Sequence, residues 1–282
     1  MTNENYQPPV DLLLVYGDCR NLREWPNYLE LGFGPEHVPD LIRMATDEEL
    51  RWADSESAEV WAPIHAWRTL AQLRAEAAIG PLIQLFRQID DDGDDWVSDE
   101  MPKVLGLLGS AAIPALAAYL SDEAHGMWAR VTAASCLKQI AEDHPDTRGE
   151  CVAILARQLE SFERQDETFN GMLISDLEDL KAVEAAPVME RAFAAGCVDE
   201  SIMGDWEDVQ VDLGLKEADE EYRNKNPWFG LAPSLPLLPL EPAASEAPHS
   251  FRPAQITSPK AKSKAKSKRK HVKASRKKNR RR

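Results

Sequence analysis

A fixed offset of 34 residues governs the middle of this chain. Setting Ala77 on Ala111 also sets Ala78 on Ala112, Ile79 on Ile113, Leu82 on Leu116 and Phe86 on Leu120. Repetition at this period constrains the fold strongly, because a unit of two short helices cannot bury its apolar face alone and must stack on a copy of itself. Leu70 and Leu73 precede the first copy as Val104 and Leu107 precede the second, and the spacing returns at Leu177, Leu180, Met189 and Phe193. Each set puts two apolar residues three apart near the end of one helix and two more, four apart, on the next.

The interval from Val104 to Leu177 spans two periods and leaves room for one further unit. Val131, Ala134, Leu137 and Ile140 form its first stripe, His144-Pro145-Asp146-Thr147 interrupts, and Leu155 and Leu159 supply its second helix. Those two follow Leu116 and Leu120 by one period and five residues more, so this alignment predicts a lengthened loop at His144–Arg148.

The flanks read differently. Residues 1–34, with the apolar run Val10 to Tyr16 and then Trp25, Tyr28 and Phe33, suit an N-terminal cap, the distinct surface an end repeat needs. Residues 35–222 carry the helical array. Its first helix is predicted over Pro35 to Ala45 and the partner over Val60 to Ala75, with Ile64, Trp67, Leu70 and Leu73 on one face. Ile202, Trp206, Val209, Leu213 and Leu215 close it, and Lys216 to Glu221 form a solvated outer edge. Residues 223–259 are a linker, in which eight prolines from Pro227 to Pro259 exclude helix; a flexible chain of that length reaches about 30 Å. Residues 260–282, nearly all Lys, Arg, Ser and Ala and without Phe, Trp or Tyr, are expected to stay disordered.

The Ala-Ala-Ile-x-x-Leu signature, the 34 to 41 residue period and the small alanines at helix crossings resemble the HEAT repeat, in the short form of bacterial proteins and phycobilin lyases. The resemblance covers about Pro35 to Leu215. It implies an all-α solenoid of about five antiparallel helix pairs with a concave binding face, and it implies no reaction, because such arrays serve as scaffolds, transport receptors, bilin lyase subunits and DNA glycosylases.

Charge is where the sequence speaks to partners. The net -15 divides unevenly: from Arg252 onward there are 15 Lys or Arg and no acid, so the first 251 residues hold 18 basic against 48 acidic side chains. A body near -30 repels nucleic acid and anionic lipid, and a tail near +15 attracts them. Lys268, Arg269, Lys270, Lys273, Arg276, Lys277, Lys278, Arg280, Arg281 and Arg282 are therefore the candidate contacts to RNA, DNA or the ribosome. A strap across the acidic body and an import or solubility tail are the competing readings of the same residues. The body's acidity favours a basic or helical protein partner.

Motifs for chemistry are absent. Asp90-Asp91-Asp92-Gly93-Asp94-Asp95 suggests a calcium loop, but with Gly93 sixth the first ligand would be Gln88, the twelfth Asp99 and the hydrophobic eighth Asp95, so an acidic inter-helix loop is expected, a weak cation site being the other reading. His37, His65, His125 and His144 are too dispersed for zinc, and His65 reads as packed or surface-exposed. Cys19, Cys136, Cys151 and Cys197 form no Cys-x-x-Cys pair and read as small buried residues. Of Trp52, Trp61, Trp67, Trp96, Trp128 and Trp206, most are expected in the core, those on the concave side being candidates to anchor a partner. With no signal peptide or membrane span apparent, the expectation is a cytoplasmic, non-enzymatic adaptor without cofactor or metal. A bilin-lyase-like subunit or chromophore chaperone is the alternative.

Overall fold

The computed structural model describes residues 6–22 and 24–225. Every regular element among them is helical. The chain divides between Pro227 and Trp228, and everything described belongs to the first part. The linker expected from residue 223 begins later than predicted, because residues 223–225 complete the helix Glu220–Lys225; its remainder and all ten candidate tail residues, Lys268, Arg269, Lys270, Lys273, Arg276, Lys277, Lys278, Arg280, Arg281 and Arg282, lie outside the described residues.

Helix α1 (Val38–Ala45) is followed by the short α2 (Glu48–Arg51). Then come four pairs: α3 (Ala62–Gln72) with α4 (Ile79–Gln84), interrupted from the next pair by α5 (Arg87–Asp92); α6 (Asp95–Leu108) with α7 (Ile113–Ser121); α8 (Met127–Asp143) with α9 (Arg148–Leu159); and α10 (Glu167–Asp179) with α11 (Ala186–Ala194). Helices α12 (Trp206–Asp212) and α13 (Glu220–Lys225) follow. The first helices pack in succession, α1 on α3, α3 on α6, α6 on α8 and α8 on α10, while α4, α7, α9 and α11 do the same beside them. Stacking lets each pair bury the apolar stripe it cannot hide alone. One continuous core results, from Tyr6 to Leu213.

Each second helix starts after a single 3-10 turn, at Ile79, Ile113, Arg148 and Ala186, and the interval between these starts lengthens only slightly along the chain. This corrects the predicted register of the third unit. Cys151 and Leu155, both fully buried, occupy the places of Leu116 and Leu120, and the connection at Pro145–Thr147 is no longer than its counterparts. The extra length lies in α9 itself, 12 residues against 9 in α7, and in the turn Phe162–Arg164 behind it. Apolar residues four apart recur on α9, at Cys151/Leu155, Val152/Ala156 and Leu155/Leu159, so spacing alone does not choose among them.

The reversals between helices explain the tight period. After α3 the Ala75 N–H reaches the Leu70 carbonyl (3.1 Å) with Arg74 at φ 50°, and after α10 the Ala182 N–H reaches Leu177 (3.0 Å) with Lys181 at φ 51°. This is the Schellman closure, which needs one left-handed residue and usually takes glycine. Here the long side chains compensate: the Arg74 guanidinium donates to the Leu107 carbonyl (3.2 Å) and the Lys181 ammonium to that of Asp212 (3.1 Å), each supplying a donor to the C-terminal end of a later helix.

Helix α8 is the hub, in contact with α5, α6, α7, α9 and α10. A Cβ on Gly106 of α6 would meet Gln139 Cγ at 2.7 Å and Asp143 Oδ2 at 2.6 Å, so the two helices cross where one has no side chain. The stretch Asp95–Ser121 has the length and mean hydropathy (1.7) of a membrane span. Gly109, at φ 77° and ψ -152°, breaks it into α6 and α7, whose Met101, Val104, Leu105 and Leu116 are wholly buried against their neighbours.

The described part of residues 6–34 contributes no α-helix. It covers α3 through 3-10 turns that bury Val10, Leu13, Leu14 and Tyr28. Toward the other end Val209 and Leu213 are buried as expected, while Leu215 is exposed.

Candidate functional site

A cleft of about 440 Å³ opens where α1, α3, α5 and α6 meet. Three tryptophans build its wall. Trp67 and Trp61 are buried, Trp96 half so. The Trp67 indole N–H is spent on the Ala45 carbonyl at the end of α1 (2.8 Å), which locks the ring and leaves only its faces for contact. Trp61 and Trp96 stand about one repeat apart, at the starts of α3 and α6, and meet edge to face with centroids 5.2 Å apart.

Carboxylates rim the aromatics. Asp94 accepts the Trp96 N–H (3.1 Å) as N-cap of α6 and takes the Arg51 guanidinium (3.0 Å), whose other arm reaches Asp92 (2.7 Å). Asp47 caps α2 through the Glu49 and Leu50 N–H groups (2.9 and 3.2 Å) and accepts the Tyr6 hydroxyl (2.9 Å), so burial and this carboxylate together push the Tyr6 phenol well above its usual range. Glu56 adds a further charge. Arg20, clamped by Asp18 at 2.6–2.9 Å, lays its guanidinium over Trp61, 4.7 Å from the ring centroid. In and beside the cleft, Asp18, Asp47, Glu56, Asp92 and Asp94 outnumber Arg20 and Arg51.

Gln88 closes the wall. It is 5% exposed, and its Oε1 is buried with no hydrogen-bond partner among the described residues. A buried acceptor left unmade destabilises by about 1–3 kcal/mol, so it calls for an explanation.

The acidic run from Asp90 to Asp95 has structural employment. Asp92 and Asp94 hold Arg51, and Asp90 accepts the Trp128 and Ala129 N–H groups (3.2 and 2.9 Å), capping α8 across the repeat. A carboxylate at a helix N-terminus satisfies donors that otherwise have no partner and meets the positive end of the dipole. A cation would have to compete with these contacts.

Among the described residues the histidines are engaged in packing or in hydrogen bonds to backbone. His65 is fully buried; its Nε2–H donates to the Gly17 carbonyl (2.8 Å) and Nδ1 accepts from Tyr28 Oη (2.6 Å). Burial lowers its pKa, favouring the neutral ring. His37 Nδ1 accepts the Gly34 N–H, His144 Nε2–H donates to Gly106 O, and His125 stacks on Tyr119 at 3.7 Å. Cys19, Cys136 and Cys151 are buried free thiols, each raised by burial, and Cys197 is half-buried. Of the six tryptophans, Trp61 and Trp67 are buried and Trp96 and Trp206 pack against the core, in line with the expectation that most would; Trp52 at the end of α2 is 66% and Trp128 at the start of α8 46% exposed.

Among the described residues Asp176 is the most buried carboxylate, facing Lys138 (3.6 Å) and Ser135 across the α8–α10 contact. Burial pushes its carboxyl up to about 7, against the pull of Lys138. It lies between two packed helices and away from the cleft, so it belongs to the packing.

Sequence reasoning identified Trp61, Trp67 and Trp96 only as members of a mostly buried set, and it missed Gln88 and Arg51. The one-repeat interval between Trp61 and Trp96 was the available signal. A family model described as a protein of unknown function (DUF1186) matches residues 37–227, whereas no curated protein and no solved structure matches the chain.

Proposed function

The chain belongs to the DUF1186 family, whose matched span takes in α1 to α13, and we propose that it is a non-enzymatic adaptor built as a HEAT-like solenoid. The successive contacts within the row of first helices and within the row of second helices support the solenoid. The adaptor grips a basic segment of a protein partner in the tryptophan cleft and is tethered to RNA or DNA by its polybasic tail, residues 260–282.

The observation that carries the reading is the cleft: rigid aromatic faces, excess carboxylate and an unfilled acceptor, in a body of strongly negative charge. Aromatic anchors supply most interface energy, and complementary charge sets the choice of partner and the on-rate. The tail supports the tether through charge density without a stacking residue, which suits backbone contact and not base reading.

The tether is tested with fluorescent poly-uridine RNA and the full-length chain, compared with a full-length variant whose ten residues from Lys268 to Arg282 named above are changed to Gln. If six to ten phosphates are neutralised, affinity falls roughly 10³–10⁵-fold between about 50 and 200 mM salt for the native chain. The variant is expected to bind weakly at both. Equal, salt-insensitive binding by the two proteins refutes the tether. An absorbance change on mixing with free bilin would favour a chromophore chaperone instead.

A further inference from the structure

We propose that the tryptophan cleft is specific for an arginine side chain presented by the partner, with Gln88 Oε1 as the acceptor that reads its guanidinium; this rests on the adaptor reading and names what that site takes. Three observations converge. The chain seats its own guanidiniums on the neighbouring rings, Arg20 over Trp61 (4.7 Å) and Arg51 over Trp52 (4.5 Å), so the indole faces here accept a flat cation. Gln88, whose Oε1 is a buried acceptor that no described group fills, is among the residues lining the cleft with Trp61 and Trp96. The surrounding carboxylates outnumber the cations and favour a positive ligand.

Among cations, arginine fits this set best. A guanidinium stacks flat on an indole while its in-plane N–H groups reach sideways to an acceptor such as the Gln88 amide oxygen. An ammonium is a compact, strongly hydrated point charge that gains less from a flat ring. Arg20 acts as an internal placeholder. Its side chain is 61% exposed and held from outside by Asp18, so it covers Trp61 without filling the interior, and it can swing aside with its counter-ion still attached.

The experiment uses the full-length chain and a nonapeptide rich in arginine, followed by calorimetry, beside peptides with lysine or citrulline at the same positions. The arginine peptide is expected to bind about tenfold more tightly than the lysine peptide, and the citrulline peptide weakest. Gln88→Leu is expected to lower arginine affinity about tenfold while leaving the fold at least as stable, since it removes an unsatisfied acceptor; Gln88→Glu is expected to restore it. Arg20→Ala is expected to raise affinity by exposing Trp61. Equal binding of arginine and lysine peptides with no effect of Gln88→Leu overturns the arginine assignment and leaves the adaptor reading standing. Failure of every basic peptide to bind at low salt overturns both.

Discussion

Replacing Gly109 by alanine probes the reversal that converts one apolar stretch into two stacked helices. At φ 77° and ψ -152° the residue occupies a region essentially reserved for glycine, where any side chain costs about 1–3 kcal/mol. Its Cβ would also lie 3.1 Å from His144 Nε2, the atom that donates to the Gly106 carbonyl (3.0 Å). Pushing the imidazole back weakens a hydrogen bond worth about 0.5–1.5 kcal/mol. Against this, alanine restricts the unfolded chain and returns about 0.4–1 kcal/mol. The net is a destabilisation of about 2 kcal/mol, or a Tm lower by roughly 4–8 °C in a domain of this size. Gly80 is the control: it is exposed within α4, and a Cβ there meets nothing within 4 Å, so Gly80→Ala is expected to raise stability by up to about 1 kcal/mol. Urea melts followed by circular dichroism measure both. A Gly109→Ala protein as stable as Gly80→Ala would refute the reasoning, because it would mean that the backbone does not turn at Gly109 as described.

Asp90→Ala removes the carboxylate that caps α8 from the preceding repeat and is expected to cost about 0.5–2 kcal/mol by chemical denaturation, whereas Asp91→Ala, exposed one residue away, is expected to cost nothing measurable. Folded Asp176 keeps its proton to about 7 and the unfolded chain only to about 4, so the folded state binds the extra proton between these values and stability falls as pH rises through that window. Asp176→Asn is expected to flatten that limb in a pH series of melts and to gain most at pH 8. Glu178, raised to about 7 by burial and by its neighbour Asp212, titrates in the same window and contributes a slope of the same sign.

The periodic residues largely determined the helices in advance. Two apolar positions per helix, recurring at an offset near 34, leave few ways to bury both other than stacking, so the helices around Leu70, Val104, Leu116, Leu177 and Met189 were legible from spacing alone. Charge was legible too, because composition does not depend on folding. Register in the third unit was not: α9 carries overlapping pairs of apolar residues four apart, and only the 3-10 turn before Arg148 decides which pair lies where. The cleft was hidden for a related reason. Gln88, Arg51, Asp94 and Trp61 have no shared spacing, and what joins them is the packing of α5 against α6 and α8, which brings a loop's carboxylates to an arginine far back in the chain. Likewise an arginine or lysine after a helix is ordinary in the sequence, and becomes a structural device only when a later helix end lies within reach of its side chain. Local periodicity thus determined which segments are helices and which sides they hide, since both follow from bonded geometry and water. The tertiary structure alone decided which polar groups meet, since that depends on distances set by every helix packed between them.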